Sequence, residues 1–269
     1  MLELVERHST SRARLRRLLD EIAAEGWCER TLYLTPASYE ARMQDRRIVR
    51  PNMQDDDAMG VVAQTVGESD TGLALFIGDG RAVAVCPPFP FADDVSRSGF
   101  VASPLLRMLD REYVVGVVLL RLGRYAVGVV RGNKLVASKT AGRYMKNRHR
   151  AGGQSQRRFE RSRERLIREL YDKTCEIANA VFEPYIDTID HILLGGENST
   201  LTGFADRCRL LRDVDDRVLS RRLAVDTPNR KALDNIAFEG WKSRVYSFQS
   251  VPESVETASP ATGRQFVGT

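Results

Sequence analysis

Between Ser155 and Phe182 the apolar residues Phe159, Leu166, Leu170, Ile177 and Val181 recur at helical spacing, and Pro184 stands just past the end. That pattern predicts one uninterrupted helix. At the helical rise it is roughly 40 Å long, more than the width of a small domain. Its first half is studded with arginine and its second half is apolar. Any fold for this chain must therefore anchor one end of a rod and leave the other end in solvent.

The segment before the helix shares its charge. From Arg143 to Glu169 there are ten basic residues and three acidic ones, whereas the whole chain carries only +5. The remainder is slightly acidic, so the positive field is local, and a local field calls for a local polyanion. At its centre lies Gly152-Gly153-Gln154. Two glycines open backbone shapes closed to other residues and let the chain press against a ligand. Gln154 cannot titrate near neutral pH, so it cannot act as a general acid or base. It offers a side-chain amide and a backbone N–H, both suited to a water or a developing oxyanion. Taken by itself the tripeptide is also an ordinary strand-to-helix turn.

The rest reads as α/β. A helix is expected from about Thr10 to Gly26, a strand over Thr31–Leu34, and a helical stretch from Pro36 to about Arg47. The polar, acidic run from Arg50 to Asp70, with Asp55, Asp56 and Asp57 together, reads as a loop. Strands Thr71–Ile77 and Arg81–Cys86 flank Gly78-Asp79-Gly80, a hairpin signal. Pro87-Pro88-Phe89-Pro90-Phe91 cannot continue a ladder and reads as a rigid exit. Three strands, Tyr113–Leu120, Tyr125–Val130 and Leu135–Thr140, form a meander with turns at Gly123 and Gly132-Asn133. After the long helix come a strand, His191–Leu194, ending at Gly195-Gly196, and a helix, about Thr202–Leu211. A strand, Leu223–Val225, and a helix, about Lys231–Trp241, complete the pattern. Phe89, Phe91, Trp27 and Trp241 are expected in the core, and Asp226-Thr227-Pro228-Asn229 at a helix start. Alternating strands and helices imply crossovers and a mixed sheet. The expected organisation is an N-terminal accessory α+β region (1–100), a main unit (101–250) and a disordered Ser/Thr/Pro/Gly-rich tail (251–269).

Hydrophobic content of 42% and charged content of 29% suit a globular protein. No apolar run reaches membrane-spanning length and the first residues carry no secretory signal, so no membrane association and a cytoplasmic location are expected. Four cysteines (Cys28, Cys86, Cys175, Cys208) lie far apart without paired spacing, so reduced thiols are expected rather than disulfides or zinc. No cofactor and no metal are expected. His149, alone in the basic segment, reads as an exposed bystander.

Lys146-Asn147-Arg148-His149-Arg150-Ala151-Gly152-Gly153-Gln154-Ser155-Gln156-Arg157-Arg158-Phe159-Glu160-Arg161 closely resembles the GGQ loop and following helix of the central domain of eukaryotic and archaeal class-1 release factors. The resemblance spans roughly Tyr113 to Leu211, including the meander and the Ile192–Gly196 strand. Neither an NIKS-type nor a YxCxxxF-type decoding motif occurs in the first hundred residues, and the GTPase-contacting carboxyl domain has no counterpart. The chain therefore looks most like the Vms-like release factors (the VLRF group) in a compact bacterial or actinobacterial form. The zinc finger, ankyrin repeats and segregase-binding helix of the eukaryotic members are missing.

That resemblance implies a peptidyl-tRNA hydrolase acting on stalled ribosomes or 50S subunits without reading a stop codon. Its partners would be the large ribosomal subunit, rRNA and peptidyl-tRNA, with the protein a monomer. Gly152 and Gly153 would let the loop enter the peptidyl transferase centre, and Gln154 would hold the attacking water and stabilise the tetrahedral intermediate. Lys146, Arg148, Arg150, Arg157, Arg158 and Arg161 would contact RNA phosphates; a solvated helix face with glutamate partners is the plainer reading of such a run. A nuclease cutting the tRNA acceptor end and a non-catalytic ribosome-binding rescue adaptor remain as alternatives.

Overall fold

A computed structural model describes residues 2–45, 54–142 and 154–251. In chain order the elements are β1 (Leu2–Thr10), α1 (Arg12–Glu25), β2 (Arg30–Leu34), α2 (Pro36–Asp45), α3 (Gln54–Val66), β3 (Leu73–Gly78), β4 (Arg81–Cys86), β5 (Val95–Ser98) and α4 (Ser103–Asp110). They continue as β6 (Val114–Arg121), β7 (Arg124–Arg131), β8 (Lys134–Gly142), α5 (Gln154–Phe182), β9 (His191–Gly196), α6 (Asn198–Arg207), α7 (Arg209–Asp213), β10 (Val218–Leu223), α8 (Arg230–Glu239) and β11 (Ser243–Ser250).

The strands form two sheets. The first, ordered β1-β11-β4-β3-β2-β5, is antiparallel throughout. The second, ordered β10-β9-β6-β7-β8, is mixed: β9 runs parallel to both β6 and β10, while β6, β7 and β8 form the meander. The α/β class and the mixed sheet agree with the sequence, and the wholly antiparallel first sheet adds to it. β11, from the far end of the chain, lies between β1 and β4, so the last strand ties the C-terminal stretch to the N-terminal sheet.

Strand alternation sorts the side chains into three cores. Between the sheets, Tyr33, Phe76, Val85 and Val245 meet Val115, Val117, Leu119 and Leu193, with α1, α4 and α8 filling the layer through Leu15, Leu105 and Leu233. On the outer face of the first sheet, Leu32, Leu73 and Tyr246 pack on α2 and α3. On the outer face of the second, Val118, Val127 and Ile192 pack on α5 and α6. The proline-rich exit plugs the middle layer. Phe89 stacks on Tyr113 at 4.3 Å and meets Trp241 edge-on at 4.9 Å, an aromatic contact that joins the two sheets. Trp27, Phe89, Phe91 and Trp241 are all buried, as expected.

Local signals explain several boundaries. Ser11 caps α1 by accepting from the Arg14 N–H, and Gly26 ends it in the left-handed region. The β3–β4 turn has positive φ at both Asp79 (46°) and Gly80 (65°), the twist a two-residue hairpin requires. Asn229 starts α8 through a 2.8 Å bond from the Ala232 N–H.

Other expectations are corrected. The supposed loop between Arg50 and Asp70 contains α3, because Met59, Val62, Ala63 and Val66 recur at helical spacing and bury one face. The helix expected at Thr202–Leu211 is two helices broken at Cys208, and the strand expected at Leu223–Val225 is Val218–Leu223. β1, β5, α4 and β11 were not expected. The cysteine reading is overturned for one pair: Cys175 and Cys208 form a disulfide with their Cα atoms 5.4 Å apart. Sequence separation hid it, since packing of α5 beside α6 brings the two together. Cys28 and Cys86 are free and buried. The expected tail from 252 onward lies outside the described residues.

Candidate functional site

The chain leaves the second sheet at Gly142, paired with Arg124, and the next described residue is Gln154, the first of α5. α5 lies across β7 and β8. Its contact with the core begins at Ile167 and Leu170 and continues through Ala178 to Phe182. From Gln154 to Ile167 the helix rises about 20 Å. Over that length Arg158, Glu160, Arg161, Glu164 and Arg165 are exposed. The rod expected from the sequence is thus anchored at one end and solvated at the other.

The anchor is reinforced at its root. The Phe182 ring fills the space above Gly116, where a Cβ would come within 2.9 Å of Phe182 Cζ. Thr174 returns its hydroxyl to the Leu170 carbonyl. On the other side Asp172 receives two bonds from the Arg207 guanidinium at the end of α6, which hold the Asp172 carboxyl below its ordinary range. The disulfide from Cys175 to Cys208 lies one turn further along. Sequence reasoning missed both links. Their signal was present: Asp172 and Cys175 share a face of α5 three residues apart, and Arg207 and Cys208 are adjacent. Tyr171, buried beside them, is raised above the usual phenol value, first by desolvation and then by Glu197.

At the solvated end the electrostatics favour anions. Arg158, Arg161, Arg165 and Arg168 are all exposed and fall on one face at spacings of three and four. Arg165 is 3.6 Å from Glu169, an exposed pair of little energetic weight. The first turn contains no acidic residue. Gln154, as first residue of the helix, has a backbone N–H that no intrahelical carbonyl takes. The helix dipole adds partial positive charge at that point. The arrangement can present one N–H donor, in a cationic setting, to an oxygen that becomes negative.

Of the residues singled out in the sequence, Gln154, Arg157, Arg158 and Arg161 are brought onto the first two turns of α5. Gly152, Gly153, Lys146, Arg148, Arg150 and His149 lie outside the described residues, as do the side chains of Gln154 and Arg157. Among the described residues there is no group of three or more His, Cys, Asp or Glu side chains placed to hold a metal. Nor is any described helix long and apolar enough to cross a membrane.

Comparison with known proteins gives three findings. The sequence profile of the family described as "Actinobacteria/chloroflexi VLRF1 release factor" matches residues 113–246. Among curated proteins, "Peptide chain release factor subunit 1" of Methanopyrus kandleri is 29% identical over 248 residues, covering 81% of this chain and 60% of that one. The protein of the same name from Thermococcus sibiricus is 32% identical over 163 residues, covering 56% and 39%. The chain thus spans less than two thirds of the length of these relatives. Among solved structures, archaeal translation termination factor aRF1 aligns with 83% of this chain and 68% of its own, at 17% identity and a TM-score of 0.38. A structure titled "Vms1 mitochondrial localization core" aligns with 82% and 98%, at 14% identity and a TM-score of 0.36.

Proposed function

The chain belongs to the actinobacterial and chloroflexi VLRF1 release-factor family, and from that premise we propose that it hydrolyses peptidyl-tRNA on stalled ribosomes or large subunits without reading a stop codon. One observation carries the reading. Gln154, last residue of a Gly-Gly-Gln segment resembling the release-factor loop, opens a helix whose cationic first 20 Å or so stands clear of the core. On this reading residues 101–250 form the release-factor-like unit and 1–100 an accessory region, with β11 returning across the division. The protein works as a cytoplasmic monomer on rRNA and peptidyl-tRNA.

The substrate is the ester between a nascent peptide and the terminal adenosine of tRNA. Water attacks the carbonyl carbon, the carbonyl oxygen becomes an oxyanion, and the ribose oxygen leaves with a proton. Gln154 contributes orientation and a hydrogen bond; it contributes no base. Gly152 and Gly153, lacking side chains, serve to let the segment enter the peptidyl transferase centre. Lys146, Arg148, Arg150, Arg157, Arg158 and Arg161 hold RNA phosphates, which position the tip without reading sequence. Orientation accounts for up to about 7–11 kcal/mol of barrier, and a single oxyanion donor for about 2.7–4 kcal/mol.

The test is release of nascent peptide from purified stalled 50S–peptidyl-tRNA complexes. Gly152→Val and Gly153→Val should slow release at least as much as Gln154→Ala, because bulk at the tip displaces the whole reacting geometry. Wild-type rates in the valine variants would refute the proposal. Shortened product tRNA on a gel would favour a nuclease, and full rescue by Gln154→Ala with unchanged ribosome affinity would favour an adaptor.

A further inference from the structure

A second concentration of positive charge lies near the start of the chain. Five arginines and a histidine fall between Arg7 and Arg17, with no carboxylate among them. Arg12, Arg14, Arg16 and Arg17 occupy the first half of α1, whereas its acids, Asp20, Glu21 and Glu25, occupy the second. This order opposes the helix dipole, which favours acids in the first turn and bases in the last. α1 has neither. Local rules of helix stability are set aside most often where a surface serves something else.

The arginines differ in what holds them. Arg16 pairs with Asp110, and Arg12 lies over the Trp241 ring at 3.7 Å. Burial first, and then the charge of Arg16, lower the Arg12 guanidinium from its ordinary value, with Asp110 opposing. Arg14 and Arg17 are exposed on the outer side, and neither forms an ion pair with a described carboxylate. Ser11 and Ala13 are exposed beside them and Glu21 follows one turn after Arg17 on the same face, so the N-terminal part of that face offers guanidinium groups and no large apolar anchor. Protein interfaces depend on buried aromatic and aliphatic anchors. A phosphate backbone needs only the planar forks of arginine. α1 packs in the layer between the sheets and α5 on the opposite face of the second sheet, so the two basic surfaces are separate.

We propose that the exposed arginine face of α1, centred on Arg14 and Arg17, is a second RNA-backbone contact, independent of the α5 arm and insensitive to RNA sequence. It gives the N-terminal region a role in holding the protein on its RNA while the arm reaches the ester. The inference rests on the ribosome reading only for which RNA is bound.

The experiment is equilibrium binding of the full chain to large ribosomal subunits and to a mixed-sequence RNA hairpin, over a series of salt concentrations and without reading hydrolysis. Replacing Arg14 and Arg17 by Ala should weaken binding to both and reduce the slope of log K against log salt by about 1.4–1.8, or roughly 0.7–0.9 per phosphate contact. Replacing both by Lys should keep the slope. Thermal melting of the Ala variant should match or exceed that of the parent, since the lost charges oppose the dipole. An unchanged slope in the Ala variant, equal loss in the Lys variant, or α1-dependent binding of polyglutamate in place of RNA would each overturn the proposal. Loss of peptide release with this salt dependence intact would count against the hydrolase reading alone.

Discussion

Proline at position 154 separates the two groups that Gln154 can offer. As first residue of α5, Gln154 occupies the helical position where proline is best tolerated, because the N–H it removes has no partner within the helix. Gly153 before it, having no Cβ, accommodates the restriction that proline places on its predecessor. Gln154→Ala removes the side-chain amide and keeps the backbone N–H; Gln154→Pro removes both. The ratio of their release rates therefore isolates the backbone donor. An oxyanion donor accounts for about 2.7–4 kcal/mol, so Gln154→Pro should be slower than Gln154→Ala by about 10²–10³-fold. The assay is single-turnover peptide release from stalled 50S complexes at saturating protein, so that binding differences drop out. A melting curve on each variant checks that α5 is intact. Equal rates for the two variants would refute a catalytic role for this N–H and leave orientation by the loop as the whole contribution.

Other predictions concern the root of the arm and the core. Gly116→Val should destabilise the chain by about 1–3 kcal/mol, because the new Cβ would meet the Phe182 ring at 2.9 Å; urea unfolding measures it. Reducing Cys175–Cys208, which closes a separation of 33 residues, should lower stability by about 3–4 kcal/mol, read by unfolding with and without dithiothreitol. The His191 imidazole is held below its ordinary value, first by desolvation, with Asp190 opposing and Arg111 assisting. The unfolded chain then binds the proton first, so stability present above about pH 6.5 is lost as pH falls towards the folded value. Melting temperature should drop between about pH 7 and 5, and His191→Phe, which keeps the ring stack on Phe89, should flatten that drop.

The elements legible in the sequence are those whose own residues satisfy most of their needs. The hairpin at Asp79-Gly80 is written in turn chemistry, and α1 is bracketed by Ser11 and Gly26. The β6–β7–β8 meander alternates or runs apolar between glycine turns, and α5 shows its period over many turns. The elements that escaped are held by partners elsewhere. β1 is exposed along most of its length and shows no buried alternation; it is a strand because β11 pairs with it. β11 in turn is polar at Ser243, Arg244, Ser247, Gln249 and Ser250, yet it is clamped between β1 and β4. α3 was hidden by three aspartates at its start, although Met59, Val62, Ala63 and Val66 carried the period.

The candidate site divides the same way. Residue types and their order alone determined the chemistry on offer: two glycines and a neutral amide at the head of an arginine-rich amphipathic helix. Local spacing is enough for that, because helical periodicity and backbone freedom are properties of neighbours in the chain. Only the tertiary structure decided where the helix stops being an arm and becomes an anchor, at Ile167 and Leu170. It also decided that the Asp172–Arg207 pair and the Cys175–Cys208 bond brace the root, and that a second arginine face lies on the far side of the sheet. These depend on contacts between residues distant in sequence, whose meeting is set by how sheets and helices pack.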